Sequence, residues 1–385
     1  MKITITTLQG LESVLAKELN DLNLTNIKIG NRAVECEGSW AQVYRCNYLL
    51  RTAIRVLIPI REYTITDEQE LYDAIASVDW TPYIKKKTTI AITAVVFSDY
   101  FTNSRYVTYK AKDAIVDQLR DKYGERPNID LKNPDTLVHL YIKGDKLIVS
   151  LDSSGQSLHL RNYKERFYKA PLNEVLAAGM ILLSEWDKKK TFVDPMCGSG
   201  TLVTEALMYA SNLPAGYYIE EFGFERWQEF YPDMWKMVVD NAEDDIVEPD
   251  VDFHGSDLNG FAVRDAKKNI QRLPFREKVE LYQRDLFKLP AMSDSHIIMN
   301  PPYDSRVELD NIYDFYKSIG DCLKNFWQGS DAWVFTSRAD AMKSFGLRST
   351  RKFTLDNGGT ESKLYKFELY RGSKKAKHQS VDKTQ

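Results

Sequence analysis

The sequence has 385 residues, of which 43% are hydrophobic and 28% charged, which excludes a disordered or fibrous chain and leaves room for two or three domains. Lys and Arg number 52 against 55 Asp and Glu, a net charge of −3. This balance excludes a globally cationic protein, so any nucleic-acid binding must come from a local patch.

The four cysteines, Cys36, Cys46, Cys197 and Cys322, lie far apart, with no CxxC pair and no histidine close by. We therefore expect no metal site and no disulfide framework, and reduced thiols indicate a cytoplasmic protein. The N-terminus lacks the basic and apolar stretches of a signal peptide, and no window approaches the roughly 18 apolar residues that cross a bilayer. We expect no membrane association.

The first half of the chain contains two rounds of mixed strand and helix patterns. Ile3 and Ile5 alternate with threonines as in a strand, and apolar residues from Leu11 to Leu22 follow at helical spacing. Further strands, a helix near 40–50 and a buried strand at 53–60 complete a small α+β domain over residues 1–60. A second α+β domain is predicted over 61–154, with helices at 68–77 and 105–123, a strand at 88–97 and a final strand pair at 137–152.

A basic and aromatic stretch, HLRNYKERFYK, follows at 159–169, within a predicted linker over 155–170. Cations neutralise phosphates and aromatic rings stack on exposed bases, which favours RNA binding here. The competing interpretation is a solvated linker whose aromatic residues cover a domain joint. The residues predicted to bind RNA are Arg161, Lys164, Arg166 and Lys169.

From Pro171 onward strands and helices alternate, which predicts a doubly wound α/β domain over 171–372. An inserted stretch from 211 to 250 contains ERWQEFYPDMWKMVVDN, whose Met and Trp residues we assign to packing rather than to a ligand site. The polar residues 373–385 are expected to be a disordered tail.

The segment FVDPMCGSGTLVTEALM places an aspartate at the end of a strand, then a glycine turn, then an amphipathic helix. Such a turn lets a ligand approach the backbone, and a helix N-terminus offers free N–H groups. The missing GxGxxG and P-loop patterns argue against NAD and ATP, so another nucleoside ligand is indicated. The predicted ligand loop comprises Asp194, Pro195, Met196, Cys197, Gly198, Ser199, Gly200 and Thr201.

Two further acids follow later strands of this domain. Asp257 ends the strand FHGSD, where α/β folds place an acid on ribose hydroxyls. The alternative for Asp257 is a helix N-cap before Asn259. Asp285 follows the next strand and is expected to bond an adenine amino group.

The motif Asn300-Pro301-Pro302-Tyr303 directly follows the strand HIIM. The two prolines stiffen the backbone and remove donors, which leaves carbonyls and the Asn300 side-chain oxygen as acceptors. Two acceptors would grip an aromatic amine and aim its lone pair at an electrophilic methyl, so that positioning supplies most of the catalysis. Tyr303 would stack on the flipped or unpaired base.

With these motifs in place, residues 155–206 together with NPPY resemble the class I S-adenosylmethionine-dependent RNA methyltransferases that carry ferredoxin-like and THUMP domains. The RlmL-type guanine-N2 methyltransferases of large-subunit rRNA are the most similar group. GLESVLAKEL, LLRTAIRVL and HLYIKGDKLIVSLDSSG extend the resemblance into the N-terminal half.

The resemblance implies an α/β fold, a Rossmann-like class I methyltransferase domain preceded by α+β ferredoxin-like and THUMP domains. It implies that residues 194–201 surround the methionine part of S-adenosylmethionine, that Asp257 binds its ribose and Asp285 its adenine, and that Pro171 and Leu172 close over it. The NPPY motif would hold a guanine of 23S rRNA or of a ribosome precursor. Some family members carry a second methyltransferase domain, which this sequence lacks, so a single methylation is implied.

Other functions remain open at this stage. NPPY also occurs in adenine-N6 DNA methyltransferases and in protein glutamine methyltransferases, so it indicates an amine or amide nitrogen rather than a particular substrate. A guanine of transfer RNA is the nearest alternative, because THUMP domains are widespread on transfer-RNA enzymes. A non-catalytic RNA-binding or assembly factor is the alternative of a different class.

Overall fold

The structure, a computed structural model, describes residues 1–164, 171–290, 292–302 and 311–371. The predicted tail at 373–385 and part of the predicted linker lie outside these ranges. Contacts divide the chain into two compact units that are each discontinuous in sequence, unlike the continuous domains expected above. Unit 1 comprises Met1–Thr7, Leu15–Leu160 and Ala215–Asp244, and unit 2 comprises Leu8–Val14, Arg161–Pro214 and Asp245–Gln385. Across the described ranges, no helix has the length and apolar character needed to span a bilayer.

Unit 1 contains a mixed sheet of eight strands in the order β2-β3-β1-β4-β8-β7-β5-β6. Its first half contains β1 (Lys2–Thr6), α1 (Glu12–Asp21, which begins in unit 2), β2 (Thr25–Ile29), β3 (Ala33–Glu37), α2 (Trp40–Leu49) and β4 (Arg55–Thr64). Its second half contains α3 (Glu68–Ala76), β5 (Thr89–Phe97), α4 (Ser104–Tyr123), β6 (Asn128–Ile129), β7 (Thr136–Lys143) and β8 (Lys146–Asp152). The predicted α+β elements of the N-terminal half are confirmed.

The inserted segment 215–244 belongs to unit 1, although in sequence it interrupts the α/β half of the chain. Its helix α7 (Pro232–Asp244) places Trp235 against Tyr48, with ring centroids 5.4 Å apart. Phe224 stacks on Tyr44 at 4.4 Å. These rings form one hydrophobic cluster with the residues of β1 and α2, so the aromatic residues of the insertion have the packing role expected of them.

Unit 2 contains a seven-stranded sheet in the order β11-β10-β9-β12-β13-β15-β14. The five strands from β11 to β13 are parallel, and β15 pairs antiparallel with both β13 and β14. The strands are β9 (Phe192–Asp194), β10 (Phe253–Asp257), β11 (Val279–Gln283), β12 (His296–Met299), β13 (Asp331–Thr336), β14 (Arg351–Asn357) and β15 (Thr360–Glu368). The helices are α5 (Glu174–Leu183), α6 (Thr201–Ala210), α8 (Gly260–Ile270) and α9 (Ile312–Phe326). The predicted doubly wound α/β fold is confirmed.

In unit 2, β10 pairs with one side of β9 and β11 lies beyond it, whereas β12 pairs with the other side of β9. The strand order therefore reverses between β9 and β12. Ligands of open α/β sheets bind outside the carboxyl ends of the strands at such a switch point. Asp194 ends β9, and Asn300 directly follows β12. The fold therefore brings the predicted glycine loop and Asn300 to the same edge of the sheet.

Candidate active site

The turn between β9 and α6 contains the whole predicted ligand loop. Gly198 and Gly200 have φ angles of 52° and 83°, in the left-handed region that favours glycine. A Cβ on Gly200 would lie 3.0 Å from the Cβ of Ala266 in α8, whereas a Cβ on Gly198 would meet no heavy atom of the described residues within 4 Å. Gly200 therefore allows α6 and α8 to pack closely, and Gly198 borders open space that a ligand can fill.

Three hydrogen bonds from neighbouring elements fix this loop from behind. The backbone N–H of Cys197 donates to the Ser256 carbonyl at 2.8 Å, and that of Gly198 donates to Asp257 Oδ2 at 2.9 Å. The Asn269 side-chain amide donates to the Ser199 carbonyl at 3.1 Å. Because β10 and α8 supply these partners, the loop is held in one conformation before any ligand arrives.

Asp257 is a loop-binding acid rather than a helix cap. Its Oδ1 accepts the N–H of Asn259 at 2.8 Å while its Oδ2 accepts that of Gly198. The N-cap of α8 is Asn259 itself, whose Oδ1 accepts the N–H groups of Phe261 and Ala262. The N-cap alternative for Asp257 is therefore wrong, and its half-buried carboxylate keeps lone pairs for a diol.

Asp194 lies at the end of β9 and is buried. Its Oδ1 accepts the Met196 N–H at 3.2 Å. Burial raises the pKa of the Asp194 carboxyl well above its usual range, and the nearby Asp257 carboxylate raises it further. The buried Asp194 and the half-buried Asp257 thus lie at the ends of the neighbouring strands β9 and β10.

Asp285 caps a short 3-10 turn, Leu286–Lys288, by accepting the Phe287 N–H at 3.1 Å. Two exposed apolar residues close to Asp257 and Asp285 were not predicted from the sequence. Leu258, which follows Asp257, is 72% exposed, and Phe287 is 41% exposed. Exposed apolar side chains beside such acids provide a surface on which a flat ring can lie. The sequence signal for this surface is an apolar residue within two positions of each acid.

The side-chain oxygen of Asn300 is a buried acceptor at the end of β12. Its Oδ1 is buried, and none of the described residues donates a hydrogen bond to it. Pro301 is buried and Pro302 half-buried beside it, and neither has an N–H. A buried acceptor without a donor costs free energy, so this oxygen favours a ligand that brings an N–H group. Tyr303 lies outside the described residues.

The Arg161 side chain lacks the exposure that contact with RNA requires, so its predicted role is corrected. The Arg161 side chain is buried, at 2% exposure for the residue, and its Nε lies 3.7 Å from Oε1 of Glu205 in α6. The Tyr163 hydroxyl donates to the same carboxylate at 3.1 Å. Burial and the Glu205 carboxylate raise the pKa of Tyr163 well above its usual range. The Arg161 guanidinium therefore lies inside unit 2, next to the Glu205 carboxylate.

Lys164 is also buried, contrary to its predicted contact with RNA. Its Nζ lies 2.6 Å from Oε1 of Glu174 at the start of α5 and donates to the Leu172 carbonyl at 3.2 Å. Both charges are removed from water and pair with each other. Arg166 and Lys169 lie outside the described residues, and their assignment to RNA binding stays a prediction.

The geometry fits a ligand that combines a nucleoside with an amino-acid part. The open side of Gly198 and the free N–H groups at the start of α6 suit the charged end, Asp257 suits the ribose diol, and Asp285 with Phe287 suits the base. Among the described residues, no three His, Cys, Asp or Glu side chains are grouped as a metal site would need.

Three family models match the chain in succession. The RlmL ferredoxin-like domain matches residues 2–57, the THUMP domain matches 66–152, and the RMKL-like methyltransferase domain matches 161–366. The matched segments follow the order that the resemblance in the sequence predicted.

Relatives cover the chain at about one-third identity. A protein of Synechocystis sp. named as an RNA methyltransferase is 33% identical over 371 residues, which cover 95% of this chain and 96% of that protein. The ribosomal RNA large subunit methyltransferase K/L of Syntrophotalea carbinolica is 32% identical over 382 residues, which cover 96% of this chain and 54% of that protein. The chain thus spans about half the length of the K/L relatives.

Solved structures share the whole fold. A methyltransferase solved with S-adenosylhomocysteine is 27% identical, with a TM-score of 0.86 and coverage of 97% of this chain and 99% of that one. A methylase from Clostridium difficile 630 is 28% identical, with a TM-score of 0.87 and the same coverage. The chain belongs to the RMKL-like methyltransferase family, with an RlmL-type ferredoxin-like domain and a THUMP domain ahead of its methyltransferase domain.

Proposed function

We propose that this protein transfers a methyl group from S-adenosylmethionine to the exocyclic N2 amine of a guanine in large-subunit ribosomal RNA, in the cytoplasm. The observation that carries the proposal is the buried Oδ1 of Asn300, which has no donor among the described residues, at the switch point shared with the glycine loop. An acceptor in that position needs an N–H donor, and an amine supplies one.

The cofactor would be held by the loop after β9 and by the two acids that follow the next strands. The backbone from Asp194 to Thr201 surrounds the amino-acid part, Asp257 accepts from the ribose hydroxyls, and Asp285 accepts from the adenine amino group. When bound, S-adenosylmethionine supplies an electrophilic methyl on a sulfonium. The bound S-adenosylhomocysteine of the relative with 27% identity supports S-adenosylmethionine as the cofactor.

The residues that follow β12 would orient the target amine. Asn300 Oδ1 and the Pro301 carbonyl each accept one N–H of the amine, which turns the nitrogen lone pair toward the methyl. These two oxygens would also stabilise the positive charge that develops on the amine nitrogen when it is methylated. The amine then loses one proton to water, so no strongly basic side chain is needed. Tyr303 would stack on the base.

RNA is favoured over DNA as the substrate because a THUMP domain matches residues 66–152 and relatives across nearly the full chain are named as RNA methyltransferases. A protein of solved structure from Listeria monocytogenes, which is 25% identical in sequence, is described as an N6-adenine-specific DNA methylase. Adenine is therefore a second candidate base for the same acceptors. Transfer RNA is the alternative RNA.

The test is a transfer assay with radiolabelled S-adenosylmethionine and total RNA from a strain that lacks the gene. Label should appear in the large-subunit rRNA, and mass spectrometry of digested rRNA should identify N2-methylguanosine. Label confined to transfer RNA, to DNA or to adenine would replace the proposal with the corresponding alternative. The absence of any cofactor binding in calorimetry at millimolar concentration would indicate a non-catalytic RNA-binding factor.

A further inference from the structure

A charged cluster that the sequence analysis did not select lies at the carboxyl edge of the unit 2 sheet. In the turn after β13, Arg338 donates from Nε to Oδ1 of Asp340 at 2.9 Å and from Nη2 to Oδ2 at 2.7 Å. The Tyr313 hydroxyl, from the first turn of α9, donates to the same Oδ2 at 2.9 Å. We call Tyr313, Arg338 and Asp340 the Arg338 cluster.

The cluster is close to the target-amine site in the sheet. Strands β12 and β13 are parallel neighbours with Met299 opposite Val334. Asn300 comes directly after β12, and Arg338 comes two residues after the end of β13. Neighbouring strands are about 4.8 Å apart, so the two turns leave the same edge side by side.

Hydrogen bonds to buried side chains hold the turn that contains Arg338. The backbone N–H of Arg338 donates to Thr336 Oγ1 at 2.9 Å, and the Thr336 hydroxyl also bonds the Tyr316 hydroxyl at 2.6 Å. Thr336 and Tyr316 are both buried. The backbone of Arg338 is therefore fixed by the core, and its side chain by Asp340.

Stability does not explain why the side chain is held so firmly. The side chains of Arg338 and Asp340 are 34% and 47% exposed, and an exposed ion pair contributes only about 0–1 kcal/mol. The pairing with Asp340 uses two of the five guanidinium N–H donors, and no side-chain hydrogen bond to another of the described residues is seen for the other three. An arginine oriented in advance by a carboxylate binds a second anion with less loss of side-chain entropy.

We propose that Arg338 binds a backbone phosphate of the substrate RNA next to the target nucleotide, and that Asp340 and Tyr313 are positioning residues for it. The inference rests on the proposed function. Asn300 Oδ1 is buried, whereas the Arg338 and Asp340 side chains are partly exposed at the same edge of the sheet. A flipped base that reaches Asn300 would bring its phosphates to this edge, where a guanidinium binds them in a fork geometry.

The test compares Arg338→Ala with Arg351→Ala, which removes the same charge from another exposed pair of unit 2, between Arg351 and Glu185. For Arg338→Ala we expect RNA affinity and KM for RNA to weaken about tenfold, with kcat within about threefold. The slope of log affinity against log salt should fall by about 0.7, the value for one phosphate on a single strand. Arg351→Ala should change neither quantity.

Three further variants separate phosphate binding from a structural role. Arg338→Lys keeps the charge and should restore part of the affinity, whereas Asp340→Asn and Tyr313→Phe should each cause a smaller loss than Arg338→Ala. An unchanged salt slope in Arg338→Ala, a loss confined to kcat, or a lowered melting temperature that accounts for the lost binding would each overturn the inference. Binding is measured on unmethylated RNA without cofactor, so this outcome is independent of which nucleotide the enzyme methylates.

Discussion

Asp257 accepts the backbone N–H of Gly198 at 2.9 Å and so joins the end of β10 to the ligand loop that follows β9. One carboxylate thus fixes the loop. In the proposed function the same carboxylate also accepts from the ribose hydroxyls of the cofactor.

Replacing this acid should weaken cofactor binding strongly. Asp257→Ala removes the acceptor for Gly198 and for Asn259 as well as the acceptors for the ribose, and hydrogen bonds to a charged group contribute about 1.5–3 kcal/mol each. We expect the Kd for S-adenosylhomocysteine to rise about a hundredfold or more in calorimetry. Asp250→Asn, an exposed acid of the same unit, is the control and should bind normally. Equal affinities in both variants would contradict the role of Asp257.

Asn300→Ala should abolish methyl transfer without loss of cofactor affinity. Removal of one pre-oriented polar partner of a transition state costs about 10²–10³ in kcat. Turnover is measured with radiolabelled cofactor, and the Kd for S-adenosylhomocysteine should stay within a few-fold of the wild-type value. Asn325→Ala, at an exposed position near the end of α9, should keep full turnover. Wild-type turnover in Asn300→Ala would eliminate the proposed role.

The two loop glycines should respond differently to alanine. Gly200→Ala places a Cβ 3.0 Å from Ala266 in a left-handed backbone, so we expect a clear loss of stability in thermal unfolding. Gly198→Ala has the same backbone penalty, about 1–2 kcal/mol, but its Cβ enters the open space beside the loop. It should therefore be the more stable variant and yet bind the cofactor poorly. Intact affinity in Gly198→Ala would show that the ligand lies elsewhere.

Removing the carboxylate from the buried Arg161 should destabilise the protein. Glu205→Ala removes the carboxylate whose Oε1 lies 3.7 Å from the buried Arg161 Nε, and breaking a buried ion pair costs about 3–5 kcal/mol. Chemical denaturation measures this loss. The double variant Arg161→Met with Glu205→Met removes both charges and should recover much of the stability. If Arg161→Met instead reduced RNA affinity at unchanged stability, the original assignment of Arg161 to RNA would be restored.

Stability should fall below neutral pH because of His296. Burial lowers the pKa of His296 to about 4, against about 6.5 for an exposed histidine. Between these values the unfolded chain binds a proton that the folded chain does not, so stability is lost as the pH falls from 7 toward 4, by up to about 3 kcal/mol. Denaturation at a series of pH values should show a shallower decline in His296→Phe than in the wild type. Parallel pH curves would contradict this.

Local sequence predicted the elements and indicated the candidate site residues. A glycine turn between an apolar strand and an amphipathic helix, an acid after the next strand and NPPY after a third are short patterns, and their chemistry follows from residue type and from the position on a parallel strand. The register of the sheet then places Asp194 and Asn300 at one switch point, as the alternation of strands and helices predicts.

Only the tertiary structure decided which charges face water. The composition of the stretch from Arg161 to Lys164 predicts side chains that are accessible to solvent. In the structure, the Arg161 and Lys164 side chains are buried and pair with Glu205 and Glu174. Likewise, the inserted aromatic residues join unit 1, and Asp340 orients Arg338 with help from Tyr313 on another element. Burial and charge pairing depend on contacts between distant segments, which local patterns do not contain, whereas periodicity and turn chemistry depend on neighbours along the chain.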